Sequence, residues 1–206
     1  MNNSNHLFLF LIFFICGVSI LASDKKNKSV EEFSENGVLV NIKKFYVEVK
    51  SLDVKTDKKK SLSSYVAFIC KKGVYSFLET KENDKFLETV TLGQTVELKG
   101  KVLISGNLVE IGSLSKTDKK IDIDMKKLKK TQGKSIRLKG VNKCQCGLKV
   151  STLSHSCKLG HLHHIQTTEG SIYHYLEAGK SSNMKMHFKK IDTNAEVYPG
   201  NFITIK

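Results

Sequence analysis

The chain has 206 residues, with 34 Lys and Arg against 20 Asp and Glu, and a formal charge of +14 at neutral pH. Such a charge invites a nucleic-acid reading, because clustered cations release counterions from phosphates. The pattern argues against it. Arg137 is the only Arg, the side chain best suited to bidentate phosphate contacts. The lysines stand in small groups (Lys25-Lys26, Lys58 to Lys60, Lys119-Lys120, Lys126-Lys127, Lys129-Lys130) rather than among aromatics. A nucleic-acid partner is therefore not expected, and weak polyanion binding is kept only as an alternative function. A single Pro, no Trp, and Val/Ile/Phe/Tyr stretches broken by Gly and Asn read as short antiparallel strands, an all-β chain.

In chain order, residues 1–23 read as a signal peptide. Leu7 to Leu21 is an apolar run of signal-core length, short for a membrane span. Ala22 and Ser23 follow as small cleavage-site residues, then the polar Asp24-Lys25-Lys26-Asn27-Lys28. Cys16 follows Ile15 rather than a small residue, so lipoprotein processing is not expected. Cleavage near Ala22 or Ser23 would give a periplasmic or extracellular protein with no membrane span in the mature chain. An uncleaved anchor is the alternative. Residues 24–36 are expected to form a disordered leader.

The rest contains an internal repeat. GVYSFLE (73–79) matches SIYHYLE (171–177), and SGNLVEI (105–111) matches PGNFITI (199–205), at offsets of 98 and 94 residues. Upstream, VLVNIKKFYVEV (38–49) is set against KSIRLKGVNKCQ (134–145). Copy 1 is placed at 37–115 and copy 2 at 133–206, with 116–132 as a linker or one short helix. Lys72-Gly73 and Glu169-Gly170 read as tight hairpin turns, Gly supplying positive φ. About five short strands per copy suit a small barrel of the OB type, so the expected architecture is two tandem OB-like barrels.

The second copy carries KCQCGL (143–148), Cys157 and then GSIYHYLE. In this it resembles small exported bacterial domains with a Cys-rich start, a G-x-Y hairpin and a closing strand pair. The resemblance implies an OB-like barrel and does not imply a function. The usual opening there is C-x-x-C, whereas this chain has C-x-C.

Cys144, Cys146, Cys157, His155, His161, His163, His164 and His174 fall within 31 residues. Thiolates and imidazoles are ligands for zinc and copper. With a two-residue turn at Glu169-Gly170, Thr168 faces Ser171 and His164 faces Tyr175. Alternation along the strands then puts His161, His163 and His174 on one face, a three-nitrogen candidate metal set, with His164 on the other. The bland alternative is a core or rim face that merely tolerates histidines. For the cysteines an oxidising compartment favours a disulfide from Cys157 to Cys144 or Cys146 over metal thiolates. Cys70, in an apolar strand, is expected to be a buried small hydrophobe. No G-x-S-x-G, phosphate-cradling loop or H-E-x-x-H is present, and no enzyme activity is expected. The leading expectation is an exported, non-catalytic binding or structural module whose ligand the sequence does not name, with a protein or envelope component as a candidate partner. The first alternative is a periplasmic zinc or copper protein.

Overall fold

The computed structural model describes residues 30–47, 61–131, 133–145, 148, 164–176 and 188–205. These are predominantly β, arranged as two closed five-stranded barrels. The first comprises β1 (Val30–Asn41), β2 (Val66–Cys70), β3 (Gly73–Phe77), β4 (Thr95–Leu103) and β5 (Leu108–Lys116), joined in the order β1-β2-β3-β5-β4. The second comprises β6 (Lys134–Lys143), β7 (His164–Gln166), β8 (Ile172–Tyr175), β9 (Lys190–Tyr198) and β10 (Phe202–Ile205), in the order β10-β8-β7-β6-β9. Replace β6–β10 by their counterparts β1–β5 and the two cyclic orders coincide. Among the described residues no helix is long and apolar enough to cross a membrane.

Strand registers carry the repeat into three dimensions. The parallel pair Ser76↔Leu108 recurs as His174↔Phe202, and the hairpin closed by Leu103↔Leu108 returns closed by Tyr198↔Phe202 with its loop one residue shorter. Both matched blocks of sequence therefore occupy equivalent places. The upstream alignment does not hold. In β1 the switch from β4 to β2 comes at Gly37, and in β6 the switch from β9 to β7 comes just after Gly140. A Cβ at Gly37 would collide with the Ile69 carbonyl oxygen, and one at Gly140 would lie 2.5 Å from that of Gln166. Backbones crossing that closely fix the equivalence of Gly37 with Gly140. An apolar alternation alone left the frame open, and it also misread residues 42–46, which form the short helix α1 (Ile42–Tyr46).

Two further expectations need correction. Residues 30–36, expected in a disordered leader, are the outer half of β1. Their acidic character suits the pairing: Glu32 lies opposite Lys101, Glu35 meets Lys72 at 2.6 Å, and Phe33 drops into the barrel core. The segment between β3 and β4, where the all-β expectation leaves no helix, contains α2 (Lys81–Glu88), capped by the Thr80 hydroxyl accepting from the Asn83 backbone N–H. The inter-barrel segment holds α3 (Met125–Lys129), one of the two expected forms.

The first barrel encloses Phe33, Leu39, Phe68, Phe77, Leu98 and Val109 among others, while the second encloses the smaller set Leu138, Ile165, Tyr175, Ala195 and Ile203. Asn83 on α2 is fully buried at the floor of the first. Its amide nitrogen donates to the carbonyls of Leu78 (2.7 Å) and Val109 (3.3 Å), and its side-chain oxygen accepts from the Ile111 N–H at 2.8 Å. Asn83→Ala would orphan the buried Ile111 N–H and take one of two donors from each of the Leu78 and Val109 carbonyls, which also accept from the Thr80 and Leu78 N–H groups, so a loss of about 2–4 kcal/mol is expected in urea unfolding. A loss below about 1 kcal/mol would mean the floor is not held this way.

Candidate functional site

The histidine-bearing hairpin differs from the expected geometry by one residue. The Thr167 N–H donates to the Ser171 carbonyl at 2.9 Å and the Gly170 N–H to the Thr167 carbonyl at 3.1 Å, so Thr168, Glu169 and Gly170 form a three-residue loop. Gly170 has φ of 90°, the left-handed closing position of such loops. The Thr167 hydroxyl helps fix the longer loop by accepting from the Ser171 N–H at 3.2 Å. A one-residue slip exchanges the faces. His164 therefore pairs directly with His174, and Gln166 with Ile172. The expectation that His164 points away from His174 is overturned, and with it the register on which the His161–His163–His174 set was built. His161 and His163 themselves lie outside the described residues, as do Cys146 and Cys157. Among the described residues no group of three or more His, Cys, Asp or Glu is placed to hold a metal, and no disulfide is formed. Cys144 is buried at the end of β6, and Cys70 is a buried thiol whose acidity desolvation weakens.

The face shared by His164 and His174 is turned to the other barrel. His174 is buried; its Nε2–H donates to the Gly106 carbonyl at 2.7 Å across the interface. A carbonyl only accepts, so this contact fixes the Nε2–H tautomer. Burial pushes the imidazole pKa down to about 4, and the bond to Gly106 opposes that shift only in part. His174 is neutral at physiological pH and clamps one barrel to the other.

The clamp belongs to a nearly reciprocal interface. In the first barrel the turn Ser105-Gly106-Asn107 presses on β8, where a Cβ at Gly106 would lie 2.9 Å from the Ile172 Cβ. In the second, the equivalent turn Pro199-Gly200-Asn201 presses on β3, where a Cβ at Gly200 would lie 2.8 Å from the Val74 carbonyl oxygen. Val74 and Ile172 are themselves equivalent. Ile42, Ala67, Ile69 and Val74 share one buried cluster with Leu176 and Phe202, and Ile172 joins Leu78, Leu103 and Leu108 in another. Two polar ties add to these: the Glu79 N–H donates to the Gln145 side-chain oxygen at 2.9 Å, and the Tyr46 hydroxyl to the Pro199 carbonyl at 3.2 Å. All five residues of β2 are buried, since one face fills its own barrel and the other meets the second.

Beside this interface runs an open groove lined by Phe45, Tyr46, Tyr198, Glu196, Lys126, Lys129 and Lys130 among others. Tyr46 and Tyr198 stack at 5.1 Å with 29° between their planes. Burial pushes the Tyr46 hydroxyl well above its usual range, keeping it a hydrogen-bond donor. The linear sequence gave no sign of this groove. Lysines and aromatics that lie apart in sequence meet only because α1, the inter-barrel segment and β9 converge. Compared with protein-family models, curated proteins and solved structures, the chain matches none.

Proposed function

We propose that the chain is an exported, non-catalytic binding module built from two tandem OB-like barrels, the first at 30–115 and the second at 133–206. The shared cyclic strand order, with third and fifth strands parallel, is that of the OB type, and α2 lies between the third and fourth strands of the first barrel as a floor. In OB barrels the face of strands two and three receives ligands. Here the corresponding faces are each covered by the other barrel: Ala67 and Val74 by Gly200 and Phe202, and Ile172 and His174 by Gly106 with Leu103 and Leu108. That mutual burial is the observation that carries the reading: the histidines serve packing, and the surface left for a ligand is the aromatic and lysine groove.

Export rests on the apolar run from Leu7 to Leu21 and the small residues after it, which lie outside the described residues. Intact-mass measurement of the protein from its native cell is expected to give a terminus at Ser23 or Asp24. A chain that keeps Met1 or Asn2 would overturn the export reading.

A further inference from the structure

We infer that the groove between α1, α3 and β9 binds an acidic oligosaccharide, an inference that rests on reading the chain as a binding module. It carries the stacked pair Tyr46 and Tyr198, and both rings are held. Tyr46 is tied to the Pro199 carbonyl, and the Tyr198 hydroxyl donates to Glu196 Oε2 at 3.0 Å. A rigid aromatic platform suits a ring-shaped ligand at small entropic cost. Its rim is cationic. Ile123, Met125 and Leu128 pack onto the interface cluster, which anchors α3 and leaves Lys126, Lys129 and Lys130 exposed. Among the described residues none of these three forms an ion pair. An anionic occupant complements that rim.

Glu196 decides between anionic polymers. A DNA strand brings a phosphate at every residue and no sugar hydroxyls, and RNA only one hydroxyl per residue, so the carboxylate would meet repulsion with few donors in return. A uronic-acid chain brings carboxylates for the lysines, ring faces for Tyr46 and Tyr198, and several hydroxyls able to donate to Glu196. The chemistry of the lining matches the second.

The test is calorimetric titration of the full mature chain with a hexamer of galacturonic acid, and with an oligo-dT of equal charge, at low salt and at about 150 mM salt. The expected result is binding of the hexamer that survives the higher salt and exceeds that of oligo-dT. It should weaken about tenfold or more in Tyr198→Ala and in Lys126→Ala/Lys129→Ala, and change less than about twofold in Lys85→Ala, on exposed α2. The lysine variants touch no buried contact, so they remain informative if Tyr198→Ala fails to fold. Equal binding in groove and control variants, or no heat with either polymer, overturns the inference. Tighter, groove-dependent binding of oligo-dT overturns the sugar assignment and leaves the binding module standing. Shortening of the hexamer during incubation would instead overturn the non-catalytic reading.

Discussion

Acidification from pH 7 to pH 4 is expected to remove roughly 3 kcal/mol of folding stability through His174 alone. In the unfolded chain this imidazole takes a proton near its ordinary pKa of 6.5, whereas in the folded chain it resists protonation down to about 4. As pH falls below 6.5 the unfolded state binds the extra proton, so stability is full above 6.5, declines through the window, and levels off near 4. Other acid-sensitive groups contribute too, including Asp192, whose carboxyl Arg137 holds low at the surface. A difference measurement separates them. His174→Gln keeps an N–H for the Gly106 carbonyl and removes the titration. Urea unfolding of both proteins at pH 7 and pH 4.5 should show a markedly shallower pH dependence in the variant. Parallel curves would mean that His174 is not buried in the interface.

The second large effect concerns the two turns. Gly200→Ala forces φ of 83° on an alanine and drives its Cβ against the Val74 carbonyl, so a loss of about 2–4 kcal/mol is expected, lowering Tm by about 5–12 °C. Gly106 carries no such φ, and Gly106→Ala reports the steric clash with Ile172 alone. Gly93 is the natural control, with φ of 89° and open space around its missing Cβ. Gly93→Ala should cost only the backbone strain, about 1–2 kcal/mol. Because Gly106 and Gly200 press on one interface, the double variant is expected to lose less than the sum of the singles. Gly200→Ala no worse than Gly93→Ala would contradict reciprocal packing.

The barrels were legible where the repeat preserves turn chemistry. Gly106-Asn107 and Gly200-Asn201 hold left-handed or turn backbone in both copies, with φ of 47° at Asn107 and 59° at Asn201, so matching letters gave the matching parallel register of β3 with β5 and β8 with β10. The histidine face was not legible, because one hydroxyl, that of Thr167, stabilises a loop one residue longer than the two-residue turn in copy 1. Period-two alternation turns that single residue into an exchange of faces. β1 was read too short because Glu31, Glu32 and Glu35 look solvated in isolation, and their cationic partners Lys101 and Lys72 lie far along the chain. The groove escaped for the same reason, since no local pattern joins Tyr46 to Tyr198 or either to Lys129.

The most direct test of the interface is the imidazole of His174 itself, observed by long-range proton–nitrogen correlation NMR at pH 7. The predicted signal is a neutral ring protonated at Nε2, exchanging slowly with water, with a proton–proton contact to Gly106. A ring that titrates near 6.5, exchanges freely and shows no contact to Gly106 would contradict the account.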